Sequence, residues 1–123
     1  MSNVKQIITD SEYQIMRILW KSEKQMTVAD VVKELGGTDW TASTVSTFLQ
    51  RLLKKEVIAC DKKGKTNLYY PLLKQEEYNL NETENFLSKI YKGSVKNLVA
   101  ALYENKKLSK EDMSDLKKMF ELE

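Results

Sequence analysis

From Trp40 to Lys55 the apolar residues Val45, Phe48, Leu49, Leu52 and Leu53 fall at i, i+3, i+4, i+7 and i+8, the repeat that lines one face of a helix. The other side carries Ser43, Thr44, Ser46, Thr47, Gln50, Arg51, Lys54 and Lys55, with no carboxylate before Glu56. Thr41 stands where an N-cap belongs, with Trp40 and Val45 placed as a hydrophobic staple around it. Two helices precede this one. Thr9-Asp10-Ser11-Glu12 has the form of a capping box, with Ile8 and Tyr13 as its staple, and Ile15, Ile18 and Leu19, flanked by Met16 and Trp20, continue as a broad apolar face as far as Lys21. Thr27 caps the second, with Asp30 in its first turn and Met26 and Val31 as staple. Val28, Val31, Val32 and Leu35 form its apolar side, and Gly36-Gly37 ends it with a left-handed cap.

A short Gly-containing turn between the second and third helices predicts a helix-turn-helix whose last member is presented outward. After Lys55 the period changes to two. Val57 to Asp61 and Asn67 to Tyr70 read as short strands joined by Lys62-Lys63-Gly64-Lys65-Thr66, a hairpin with a cationic tip, and Pro71 ends the pairing. Ile58 and Cys60 share one face, as do Leu68 and Tyr70, so Cys60 is expected to pack as a small apolar residue. A helix-turn-helix followed by such a hairpin is a winged helix.

From Leu73 the helical period returns. Phe86, Leu87, Ile90 and Tyr91 mark one amphipathic helix, interrupted near Gly93-Ser94, and Val95, Leu98, Val99 and Leu102 mark a second. Ser109 caps a third, with Leu108 and Met113 as staple and Met113, Leu116, Met119 and Phe120 apolar. So short an elongated segment encloses a poor core of its own, and a second copy of the chain is the expected cover. Packing back onto the winged helix is the alternative. The fold class is therefore mainly α: a winged helix-turn-helix over residues 1–72, with three helices and a β-hairpin wing, and a helical dimerisation segment over 73–123.

Composition narrows the function classes. The 123 residues are 41% hydrophobic and 31% charged, and one Pro with four Gly favours helix over loop. No stretch reaches the roughly 18 to 20 apolar residues of a membrane span, and no signal-peptide pattern opens the chain, so no membrane insertion and a cytoplasmic location are expected. With no His and a single Cys, a Ser-His-Asp or Cys-His catalytic set and a His/Cys zinc site are impossible within the chain. The carboxylates are scattered beside lysines as a solvated face would have them. No enzyme, no metal and no cofactor is the expectation.

The net charge of +2 is unevenly placed. Residues 1–72 hold 11 Lys and Arg against 8 Asp and Glu, a net of +3, whereas residues 73–123 hold 9 against 10, a net of −1. The excess clusters at Arg51, Lys54, Lys55, Lys62, Lys63 and Lys65. A helix face of short hydroxyls, an amide and cations suits a polyanion with readable edges, and double-stranded DNA is that polyanion. Thr41 and the first-turn backbone would meet phosphate, and Ser43, Thr44, Ser46, Thr47 and Gln50 base edges or neighbouring phosphates. Arg51, Lys54, Lys55, Lys63 and Lys65 would make backbone contacts.

The ordered set Ser11-Glu12-Tyr13, Met16 to Trp20, Asp39-Trp40, Thr44, Thr47, Arg51-Leu52, Lys54-Lys55, Tyr69-Tyr70-Pro71-Leu72, Lys89 to Gly93 and Leu98-Val99 resembles the BlaI/MecI penicillinase-repressor family, with its copper-responsive CopY branch. The resemblance spans essentially the whole chain. It implies a homodimeric repressor on a palindromic operator, controlling a β-lactam-resistance or related stress-response operon. It also implies release when a membrane sensor-transducer with a metalloprotease domain triggers cleavage of the dimerisation segment. The family's cleaved Asn-Phe bond corresponds to Ala101-Leu102 in this chain, and methicillin-type members carry basic residues at the positions of Ser43 and Ser46, so a different operator sequence is expected. The copper branch has a terminal cysteine cluster that this sequence lacks, against copper sensing by thiolates. A winged-helix module that binds protein instead of DNA is the rival from another class, disfavoured by the acid-free third helix.

Overall fold

A computed structural model describes residues 8–37 and 39–121. The chain forms two compact units, which divide after Asn79.

In the first unit, α1 (Asp10–Lys21) starts at a reciprocal capping box: the Glu12 N–H donates to Thr9 Oγ1 at 3.2 Å, and the Thr9 N–H donates to Glu12 Oε1 at 3.0 Å. Helix α2 (Val28–Leu35) repeats the device. Asp30 there does more than favour the first turn, because its carboxylate closes a second capping box with Thr27. Helix α3 (Ala42–Lys54) is capped by Thr41, whose hydroxyl accepts from the Thr44 N–H at 3.2 Å. Between α2 and α3, Gly37 takes a φ of 65°, a left-handed conformation that costs a residue without Cβ little. Ile15, Met16, Leu19, Val31, Val45, Leu49 and Leu52 from the three helices meet in one core with Val57, Ile58 and Tyr69. Phe48 and Leu53 are only partly buried at its edge, so the apolar stripe of α3 is wider than its buried strip.

The hairpin is tighter than the sequence suggests. Strands β1 (Ile58–Lys63) and β2 (Thr66–Pro71) pair antiparallel from Ile58 with Pro71 to Lys63 with Thr66, which leaves Gly64-Lys65 as a two-residue turn. Gly64 has φ 66° at the first central position, the place where a type II′ turn requires glycine. Polar Lys62, Lys63, Thr66 and Asn67 therefore lie in the ladder, because backbone pairing does not depend on apolar side chains. The buried member of β2 is Tyr69, opposite Cys60, and its neighbours Leu68 and Tyr70 are less buried. Tyr69 faces the core formed by the three helices. The free edge of its strand is paired as well: Met26 and Tyr69 exchange backbone hydrogen bonds of 2.9 and 2.7 Å, so the segment before α2 adds a one-residue third strand.

The unit continues past the expected boundary at residue 72. Leu73 is buried, its carbonyl accepts from the Trp20 indole N–H at 2.7 Å, and Tyr78 in α4 (Gln75–Lys89) stacks on Tyr13 with ring centroids 5.5 Å apart. The first turn of α4 thus packs on α1. In the second unit a short 3-10 turn, Tyr91–Gly93, precedes α5 (Val95–Glu104) and α6 (Lys110–Met119). Tyr91, Lys92 and Gly93 all have positive φ, which breaks the helical path. Ser94 then caps α5, and Ser109 with Asp112 forms a third capping box at the start of α6. No described residue of α4, α5 or α6 is fully buried.

Candidate nucleic-acid interface

Burying Val45, Leu49 and Leu52 fixes the rotation of α3 and turns the opposite side out. Thr41, Ser43, Thr47, Gln50, Arg51 and Lys54 are exposed, while Thr44 and Ser46 are half-buried. No acidic residue lies in α3, so a duplex against this surface meets no carboxylate from the helix itself. Lys63 and Lys65 are exposed at the wing tip, on either side of Gly64. The interface residues read from the sequence therefore lie on two consecutive pieces of the same compact unit, with the exposures above.

Their hydrogen bonds separate them into different chemical roles. The Thr41 hydroxyl accepts from the Thr44 N–H and donates to Thr44 Oγ1 at 3.2 Å, so it is occupied in building the helix start. What that start offers an anion is the first-turn N–H groups of Ala42 and Ser43, which helix geometry leaves without carbonyl partners. Thr47 donates its hydroxyl to the Ser43 carbonyl at 3.0 Å and keeps only acceptor capacity for an outside donor. An adenine N6 amino or a cytosine N4 amino group fits that requirement; a phosphate does not. Gln50 can donate and accept at once, which suits an adenine edge.

Lys55 departs from the expected set. It is half-buried, and its ammonium donates to Glu12, a residue otherwise held by the Thr9 cap. A cation bound in this way to a buried carboxylate closes α1 against the end of α3 and is poorly placed to neutralise a phosphate. Glu12 was legible as a cap, but nothing in its local sequence signals a partner so distant in the chain.

Arg51 also has an intramolecular neighbour. Its guanidinium lies 5.4 Å from the centroid of the Phe48 ring, and Phe48 packs on Trp40 with centroids 5.1 Å apart and an interplanar angle of 38°. The i, i+3 spacing of Phe48 and Arg51 was available in the sequence, whereas the packing of Trp40 on Phe48 depends on how the turn enters α3.

The residues expected to support dimerisation are distributed over α4, the 3-10 turn, α5 and α6. Phe86, Tyr91, Val95, Leu102, Leu116 and Phe120 are exposed, and Leu87, Ile90, Leu98 and Val99 are half-buried. Ala101-Leu102 lies inside α5. Cys60 is a half-buried free thiol, and no group of three or more possible metal ligands occurs among the described residues. No helix of the described residues is long and apolar enough to cross a membrane.

The family described as penicillinase repressor matches residues 8–121. The penicillinase repressor of Bacillus licheniformis is 31% identical over 115 residues, covering 93% of this chain and 89% of the relative. The methicillin resistance regulatory protein MecI of Mammaliicoccus sciuri is 30% identical over 118 residues, 95% of either chain. Among solved structures, the DNA binding domain of the repressor BlaI is 33% identical with a TM-score of 0.52, covering 63% of this chain and 94% of that one. The monomeric form of Bacillus licheniformis BlaI in complex with the blaP half-operator is 31% identical with a TM-score of 0.50, covering 59% and 89%.

Proposed function

The chain belongs to the penicillinase repressor family, and from that premise we propose that it is a DNA-binding transcriptional repressor, acting as a homodimer on a palindromic operator. The single observation that carries the reading is the exposed face of α3, which offers hydroxyls, an amide and cations and has no acidic residue. The helix start binds a phosphate through the Ala42 and Ser43 N–H groups. Ser43, Thr44, Ser46 and Gln50 face base edges or adjacent phosphates, Thr47 accepts from a base amino group, and Arg51, Lys54, Lys63 and Lys65 contact the backbone. Lys55 contributes through the fold, by holding Glu12.

Dimerisation accounts for the second unit, whose exposed Phe86, Val95 and Phe120 would otherwise leave apolar surface in water. A twofold pair doubles the phosphate contacts and demands two half-sites about one helical turn, or a small multiple of it, apart. Repression follows from occupation of a promoter, with a β-lactam-resistance or related stress-response operon as the regulated unit. The induction step in this reading is cleavage at Ala101-Leu102 by a membrane sensor-transducer metalloprotease. Because that bond sits within α5, a protease reaches it only after local unwinding of the helix.

Gel-shift titration of the full chain against fragments of its own genome tests the reading. Retention of a small subset of fragments is expected. Equal, salt-labile retention of all fragments contradicts sequence-specific recognition, and retention of none contradicts DNA binding and favours a protein-binding module.

A further inference from the structure

Resting on the DNA-binding reading, we infer that Phe48 and Trp40 are positioning residues that hold the Arg51 guanidinium in a fixed plane for a two-pronged contact to one phosphate. Arg51 is exposed, yet its guanidinium sits 5.4 Å from the Phe48 centroid. Phe48 is itself anchored: it is partly buried against the core and packs on Trp40, the residue directly before the α3 N-cap. The three groups form a chain from the core edge outward to the cation.

The chemistry follows from guanidinium shape. A lysine ammonium meets a phosphate as a point charge from any direction, and its contact tolerates a mobile side chain. A guanidinium gives two parallel N–H donors to two phosphate oxygens only when its plane is correctly turned, and a free arginine must surrender rotamer freedom to reach that plane. A cation–π contact with the Phe48 face restricts the guanidinium before DNA arrives. A lysine such as Lys54 or Lys65 has no plane to orient. Arg51 is thereby distinguished among the exposed cations of this surface as one whose value depends on orientation.

A double-mutant cycle in the full chain tests this, using a short duplex selected by the unaltered protein as probe. Phe48→Met keeps core volume and removes the ring. It is expected to weaken binding about two- to fivefold, the range of a cation–π contact at an exposed site. Arg51→Ala is expected to weaken it about tenfold, and the double variant no further than Arg51→Ala alone. Phe48→Tyr, which restores a ring face, is expected to bind as the unaltered protein does.

A merely structural role for Phe48 gives another pattern, in which Phe48→Met weakens the Arg51→Ala protein by the same factor as the unaltered one; that result overturns the inference. Arg51→Lys provides a route that leaves the core untouched: binding several-fold weaker than the unaltered protein supports an oriented fork, and equal binding overturns it. If Arg51→Ala binds like the unaltered protein, the platform and the Arg51 contact both fall, while the unaltered protein's own selective binding still sustains the DNA-binding reading.

Discussion

Lys55, the C-cap of α3, forms an ion pair with Glu12 at the third position of α1, where only 1% of the Glu12 side chain is exposed. The carboxylate thus serves two ends of the winged helix at once, closing the α1 capping box and receiving a cation from the far end of the presented helix. Removing the ammonium alone leaves a buried charge with only the cap hydrogen bond. Lys55→Met is expected to destabilise the first unit by about 2–4 kcal/mol, against no more than about 0.5 kcal/mol for exposed Lys54→Met. Thermal or urea unfolding of the two variants side by side checks this.

The same pair sets an acid limb of stability. Burial raises the Glu12 pKa, but the hydrogen bond from Lys55, the Thr9 cap and the Lys55 charge together outweigh it, so the carboxyl titrates below its ordinary value of 4.5. A group with a lowered folded-state pKa stabilises the fold above its unfolded value, and that contribution disappears as pH falls through the folded-state pKa. Unfolding titrations from neutral pH downward are expected to show stability falling below about 4.5. Glu12→Gln is expected to be less stable at neutral pH and to show a shallower acid limb.

Wing contacts can be separated from the reader helix by their salt dependence. Lys63 and Lys65 are exposed on either side of the tight turn at Gly64, and each phosphate contact contributes about one to the slope of log K against log salt. Replacing both by Ala is expected to lower the slope by about two per subunit, with the preferred duplex sequence unchanged. Binding titrations over a range of salt concentrations measure it, and an unaltered slope removes the wing from the contact set.

Apolar surface on the second unit gives an oligomer test. Phe86 and Val95 are 55% and 60% exposed. Charged replacements, Phe86→Asp with Val95→Asp, are expected to convert the chain to a monomer in sedimentation equilibrium and to weaken operator binding by 100-fold or more, roughly what loss of one linked half-site produces. The melting of the first unit should be little changed.

Local rules explain which parts of this fold could be read beforehand. Thr9, Thr27, Thr41 and Ser109 declare helix starts because each cap is made within four residues, and Val45, Leu49 and Leu52 declare the buried side of α3 because helical period alone fixes it. The outward hydroxyl and cation surface follows as the complement of that buried side. Relationships between distant residues were not legible. Met26 adding to the edge of Tyr69, Trp20 donating to the Leu73 carbonyl and Lys55 reaching Glu12 all depend on how elements come together in space. The last pairs one of the expected cations with a buried carboxylate, and an exposed and a paired lysine are the same letter in a sequence.

Selection of bound duplexes from a random-sequence pool by the full chain addresses DNA recognition by a twofold pair most directly. The expected result is an inverted repeat whose half-site centres lie about 10 base pairs, or a multiple of that, apart, with each half-site read by one α3. Enrichment of a single unrepeated half-site, or no enrichment over the starting pool, would contradict it.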